Sequence, residues 1–171
     1  MVILYTLVGS ILAIMLAAGL ATLIGTGIPI VHHCEVEGRF NHATQSLWDV
    51  ISDVATHAQW RKLVKDVHVE QANTIFRISY VANPTDTRLR VTQAEEPHRL
   101  VWSGQDMDGP VQSVWTLSLQ TEDNCCRLHI QEESTISHPW YRFVFKYITG
   151  YDKMLKDFLE DLENRLRPAD T

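Results

Sequence analysis

The first part of the chain has no charged side chain. No Asp, Glu, Lys or Arg occurs before Glu35, so the rest of the 171-residue chain carries all 15 Lys and Arg and all 21 Asp and Glu. The formal net charge is −6, and no run of basic residues occurs. Because nucleic-acid-binding surfaces concentrate Lys and Arg, this composition argues against nucleic acid as a partner.

Cysteine is scarce, with Cys34, Cys125 and Cys126 as its three occurrences. They form no spaced framework of the kind that crosslinks small secreted domains, which favours a reducing compartment. On strands, Cys125 and His129 would share a face near Cys34, so a metal site can be drawn there. Buried cysteine more often behaves as a small hydrophobic residue, and we predict no metal and no cofactor.

The uncharged run from Val2 to Val31 exceeds the roughly 20 residues that cross the hydrocarbon core of a bilayer. It has no amphipathic face, which argues against a core helix of a soluble domain. It also lacks the basic start and short apolar segment of a cleaved signal peptide. The sequence therefore predicts a transmembrane anchor over 1–31 and a second domain over 32–171.

The basic residues nearest the anchor all follow it. These are Arg39, Arg61, Lys62 and Lys65. Because cytoplasmic flanks are enriched in Lys and Arg, we expect a single-pass protein of the inner cell membrane with a cytoplasmic C-terminal domain.

Small residues recur every four positions along the anchor, which places them in one groove of a helix. A second helix could approach closely there, so the stripe predicts a homodimer through Gly9, Ala13, Ala17, Ala21 and Gly25.

The second domain begins with a strand and continues with further strands. His33 to Phe40 alternates apolar and polar residues, and helical spacing over Ala43 to Val54 follows. Six more alternating segments come next, separated by short turns. They lie around Val67 and Val69, Phe76 to Tyr80, Leu89 and Val91, Leu100 and Trp102, Trp115 to Leu119, and Leu128 and Ile130. Strands joined this briefly predict an antiparallel meander.

One long amphipathic helix is predicted from Pro139 to Arg167, ended by Pro168. Its apolar stripe consists of Val144, Ile148, Tyr151, Leu155, Phe158 and Leu162. The expected fold class is α+β, with a curved antiparallel sheet of about seven strands, two short helices and this long C-terminal helix against the sheet.

Four segments within about residues 33–166 have a recognisable pattern. They are Leu47-Trp48-Asp49-Val50-Ile51-Ser52-Asp53 with Trp60, Glu95 to Trp102, Cys126-Arg127-Leu128, and Trp140 to Tyr151. Together they resemble the START/polyketide-cyclase superfamily, also called SRPBCC, which has the helix-grip fold. The last segment is similar to the ending of membrane-anchored bacterial members of that superfamily.

The resemblance implies a cavity between sheet and helix that holds a hydrophobic ligand such as a lipid, a quinone or a polyketide-like molecule. It implies no shared catalytic residue. Apolar periodicity alone does not distinguish such a cavity from a packed core. The candidate lining residues are Trp60, Phe76, Ile78, Tyr80, Leu89, Val91, Trp102, Trp115, Leu117, Val144, Ile148, Tyr151 and Leu155.

Two further features concern chemistry and membrane contact. Alternation with Leu128 and Ile130 places Glu132 on the inner face, where burial would raise its pKa and make it a candidate acid or base. The aromatic and basic start of the last helix has the composition of a headgroup-level segment. Its membrane-contact candidates are Trp140, Tyr141, Phe143 and Phe145.

We therefore expect a membrane-anchored module that binds a hydrophobic small molecule taken from or delivered to the lipid bilayer, as a carrier or sensor rather than an enzyme. Two alternatives stay open: a cyclase or dehydratase-type enzyme acting on a membrane-soluble substrate, and a tethered interaction module with a filled core.

Overall fold

The computed structural model describes residues 1–81, 83–123 and 125–167, without the side chains of residues 2–4. Pro168, predicted to end the last helix, lies outside the described residues. The chain begins with helix α1, Val2–Thr26, of which Tyr5–Thr26 is long and apolar enough to cross a membrane. Most of its large apolar side chains are exposed. Its hydroxyls bond within the helix, for example from Thr22 to the Ala18 carbonyl at 2.8 Å.

Within the described ranges, seven antiparallel strands form one sheet, as predicted. Short turns join most of the strands, and the first strand pairs with the last, so the order is β1-β7-β6-β5-β4-β3-β2. The strands are β1 Val31–Phe40, β2 Val64–Gln71, β3 Ile75–Tyr80, β4 Thr87–Glu95, β5 Arg99–Asp106, β6 Val111–Glu122 and β7 Cys125–Ile136.

Between β1 and β2 lie helix α2, Thr44–Ser52, and a 3-10 turn, Val54–Gln59. Leu47 and Ile51 of α2 are fully buried against the inner face of the sheet, because their spacing places both on one side of the helix. This face and helix α4, Lys153–Leu166, enclose one hydrophobic core.

The prediction of a single C-terminal helix is wrong, because the segment from Pro139 onward divides into three parts. Helix α3 covers Pro139–Val144, a π-helical turn covers Phe145–Thr149, and α4 begins at Lys153. Gly150 has φ of +82°, a conformation that ends a right-handed helix and that glycine adopts without steric cost. The π-helical turn changes the helical phase before Gly150, so Ile148, predicted to face the interior, is 67% exposed.

Helix α1 packs against α3 at very short range. A Cβ atom at Gly25 would overlap the backbone of Pro139, so glycine is required there. The buried Arg142 donates a hydrogen bond from Nη1 to the Ile28 carbonyl at 2.8 Å. Ala21 is buried as well, so the C-terminal end of the small-residue stripe contacts its own chain. The homodimer stays a prediction for the exposed part of the stripe around Gly9.

Replacing Gly25 with alanine is expected to separate α1 from α3, because the added methyl group meets backbone that cannot turn aside. Hydrogen exchange of the Trp140–Val144 amides in the full chain should accelerate by about tenfold, equivalent to roughly 1.4 kcal/mol of lost local stability. Gly9→Ala is the matched control, since its Cβ would meet nothing within 4 Å. Unchanged exchange in Gly25→Ala would contradict the packing.

Candidate functional site

A small cavity lies between the inner face of the sheet and the start of α4. Its volume is about 30 Å³, enough for roughly two water-sized groups. Its surface combines apolar and polar side chains from four strands and α4. The lining residues are Arg61, Tyr80, Thr87, Leu89, Trp102, Gly104, Ser113, Trp115 and Met154.

Aromatic rings fill the space beside this cavity. The Phe158 ring of α4 makes edge contacts with Trp60, Trp102 and Trp115, with centroids 5.5 to 6.2 Å apart. The inward alternation of β5 and β6 places Trp102 and Trp115 opposite each other across the two strands. Tightly packed rings of this kind leave the cavity small.

Two basic residues at the end of the 3-10 turn lie inside the core. His57 is fully buried, and one of its ring nitrogens, Nε2, lies 3.0 Å from the Ile51 carbonyl oxygen. Burial, with a smaller effect from the Arg61 charge, lowers the pKa of His57 to about 3, so this ring is neutral. Arg61 is 6% exposed and its guanidinium lies 5.0 Å from the centroid of the Phe158 ring.

Glu132 faces inward on β7, as the alternation predicts, and pairs with a thiol. Cys34 Sγ on β1 lies 3.6 Å from Glu132 Oε2, and Trp115 donates a hydrogen bond to the same carboxyl group. Burial raises the pKa of Glu132. Burial and the neighbouring carboxylate raise the pKa of Cys34 to about 12, so the thiol is protonated at neutral pH and is a poor nucleophile.

Only part of the predicted lining set surrounds the cavity. Four predicted residues line it, namely Tyr80, Leu89, Trp102 and Trp115. Four others are buried in the core nearby, namely Phe76, Ile78, Leu117 and Leu155, while Trp60, Val91, Val144 and Tyr151 are half-buried.

The polar part of the cavity lining was not predicted from the sequence. Thr87 and Ser113 continue the inward alternation of Leu89 and Trp115, so the period of two was the signal that could have found them. Arg61 lies in a turn, where no periodicity shows which way a side chain points.

The predicted membrane-contact residues lie on and just after α3. Trp140, Phe143 and Tyr147 form a row of ring contacts, with centroids 6.3 and 5.1 Å apart. Phe145 turns away and stacks on Tyr151. Tyr141 and, to a larger extent, Tyr147 are exposed.

A second, open groove of about 440 Å³ lies between the β5–β6 turn and the start of α3. Its lining residues are Asp108, Gly109, Pro110, Ser137, His138, Pro139 and Tyr141. The groove therefore shares its edge with the segment that contacts α1.

Comparison with known proteins identifies the architecture. No protein-family model matches the chain, and no curated protein matches it in sequence. A START superfamily protein from Mycobacterium smegmatis superimposes with a TM-score of 0.63 at 12% identity, covering 79% of this chain and 97% of that chain. The fold is that of the START/polyketide-cyclase superfamily.

Two further solved structures share this helix-grip fold. Truncated norcoclaurine synthase from Thalictrum flavum superimposes with a TM-score of 0.66 at 13% identity, covering 82% of this chain and 96% of that chain. The di-domain aromatase/cyclase BexL of the BE-7585A biosynthetic pathway gives 0.65 at 10% identity, covering 85% of this chain and 53% of that chain. At these identities the likeness concerns the fold alone.

We expect Glu132→Gln to stabilise the folded chain at pH 7 and to have little effect at pH 4. Below the carboxyl pKa of the unfolded chain both states are protonated, whereas at higher pH the buried carboxyl group opposes ionisation and the wild type loses stability. The melting temperature of the variant should exceed that of the wild type at pH 7 by roughly 3–5 °C per unit of pKa shift.

The control is Glu133→Gln on the outer face, where the carboxylate lies 3.6 Å from His33 in an exposed pair. This variant should follow the wild type at both pH values. An equal shift of Glu132→Gln at pH 4 and pH 7 would show that burial does not raise the pKa of the Glu132 carboxyl group.

Proposed function

We propose that the chain is a membrane-anchored module that binds a hydrophobic ligand between the sheet and α4 and exchanges it with the bilayer. The observation that carries this proposal is the location of the cavity. Thr87, which lines it, pairs with Asp106 at the end of β5. In the β5–β6 turn, the Pro110 carbonyl accepts a hydrogen bond from the Ser137 amide, just before α3. The cavity thus lies in the half of the sheet nearest to α1.

Exposed apolar side chains at this same end support contact with lipid. They project from the β3–β4 loop, the β5–β6 turn and the π-helical turn, and they are Val81, Met107, Tyr147 and Ile148. An apolar helix exposed along its length also needs an apolar surrounding. We propose α1 as a single-pass anchor in the inner membrane, with the second domain on the cytoplasmic side that Arg39, the basic residue nearest to α1, favours.

Ligand entry would require the domain to open. Binding pockets for small molecules have volumes of about 300–1,000 Å³, well above the volume of the cavity beside α4. The break at Gly150 separates α4 from the segment docked on α1, so α4 can shift while α3 stays in place. Met154, on the first turn of α4, is partly exposed and lies at the cavity's mouth.

The small cavity also favours a second candidate function, the tethered interaction module with a filled core. In that case the open groove beside α3 would bind a partner protein, and the interior would serve only to stabilise the fold. An enzyme using Glu132 has weaker support, because Cys34 and Trp115 occupy this carboxyl group and it is not among the lining residues.

Ligand binding can be tested on the full chain extracted in native membrane nanodiscs, by native mass spectrometry followed by organic extraction. Gly104→Leu should lower the recovery of bound lipid or quinone by about tenfold or more, since a side chain there projects between Ser113 and Thr87. Gln105→Leu, on the opposite face of the same strand, is the control. Equal recovery from both variants, or no ligand in the wild type, favours the interaction module.

Contact with lipid can be tested by photo-crosslinking. A benzophenone amino acid in place of Tyr147 should form lipid adducts in the full chain, because this side chain is 57% exposed beside α3. The same amino acid in place of His98 should not, because the β4–β5 turn lies at the opposite end of β5. Mass spectrometry of the tryptic peptides gives the yield, and equal yields at the two positions would contradict the proposed orientation.

A further inference from the structure

Arg61 is a buried cation without a carboxylate partner. Its guanidinium contacts the face of the Phe158 ring, and within the described ranges no acidic side chain lies at ion-pair distance from it. A cation–π contact compensates only part of the hydration that a guanidinium loses on burial. A buried charge of this kind is retained at a stability cost, which points to a function for it.

The buried carboxylate on the helix opposite is already neutralised by another residue. Asp161 of α4 accepts a hydrogen bond from the Lys62 backbone amide at 2.9 Å, and Lys62 Nζ lies 3.5 Å from its other oxygen. The His57 ring, which also packs against Phe158, is neutral and supplies no negative charge. Among the described residues, no negative charge therefore balances that of Arg61 inside the domain.

The surface that Arg61 shares with the cavity suits an acidic group. The Ser113 hydroxyl lines the same cavity and forms no hydrogen bond within the described residues. The absence of a side chain at Gly104 keeps the space beside this hydroxyl open, since a Cβ there would lie 3.3 Å from Ser113 Oγ. Thr87 differs, because its hydroxyl already donates to Asp106 at 2.8 Å. Guanidinium and hydroxyl donors together match a carboxylate or a phosphate.

Building on the proposed function, we propose that Arg61 and Ser113 bind the acidic end group, a carboxylate or a phosphate, of an amphipathic ligand whose apolar chain extends toward Met154. The cavity of about 30 Å³ accommodates such an end group, while the chain requires the opening of α4. The ligand is therefore a single-chain acidic lipid rather than a neutral one, and its acidic end lies deepest.

The test compares three probes of equal chain length: palmitic acid, hexadecyl phosphate and hexadecanol. Each is titrated into the full chain in nanodiscs, and the bound fraction is read by native mass spectrometry against empty nanodiscs. The wild type should bind at least one of the two acids about tenfold or more tightly than the alcohol, the preference expected for charge-assisted hydrogen bonds. The acid that binds more tightly identifies the end group.

Arg61→Met should reduce the affinity for that acid to the affinity for hexadecanol, and Arg61→Lys should keep part of the preference. Arg77→Met, which removes an outer-face guanidinium paired with Glu70, should keep all of it. Ser113→Ala, which leaves Arg61 in place, should weaken acid binding by severalfold and provides a second reading if Arg61→Met fails to fold.

The outcomes separate this inference from the function on which it rests. Equal binding of acids and alcohol by the wild type would overturn the role of Arg61 while leaving hydrophobic-ligand binding intact. Absence of binding for all three probes would overturn the proposed function itself. A preference for acids that survives both Arg61→Met and Ser113→Ala would place the acidic group elsewhere and reject this site.

Discussion

The short connection between α1 and β1 is the constraint on which the arrangement of the protein depends. Four residues, 27–30, separate the apolar helix from the first strand, and β1 pairs along its length with β7. Strand β7 leads directly into α3, which returns to α1 and contacts it at Gly25. Helix α1, the sheet and α3 thus contact one another in a closed ring, and the sheet cannot rotate freely relative to α1.

This closure explains why the C-terminal helix is broken. A single straight helix from Pro139 would have to contact α1 and cross the inner face of the sheet in one direction. The π-helical turn and Gly150 let α3 follow α1 while α4 packs on the sheet. Arg142 strengthens the first contact because its hydrogen bond satisfies the Ile28 carbonyl, one of the backbone groups left without a partner beyond the end of α1. The break is therefore a requirement of the fold.

The sequence predicted the sheet well because period-two alternation is a local signal, and the strands around Phe76, Leu89 and Trp115 all face the core as their spacing indicates. It also predicted the inward direction of Glu132. It missed the break at Gly150 because the apolar stripe of the last segment continues in helical phase through it. Arg61 was missed for a different reason: the orientation of a turn residue depends on tertiary packing against Phe158, which no local pattern encodes.

The interior combines two opposing physical features. Its aromatic rings pack closely enough to leave little space, yet Arg61 and Glu132 are polar groups that a purely structural core would replace with apolar ones at a gain in stability. A domain that only had to stay folded would not retain both. Because α4 carries Phe158 and is joined to the docked α3 through Gly150, displacement of α4 would remove the ring from Arg61 and enlarge the cavity in one movement. The charge would then gain an anionic partner as the interior opens toward the end where α1 docks.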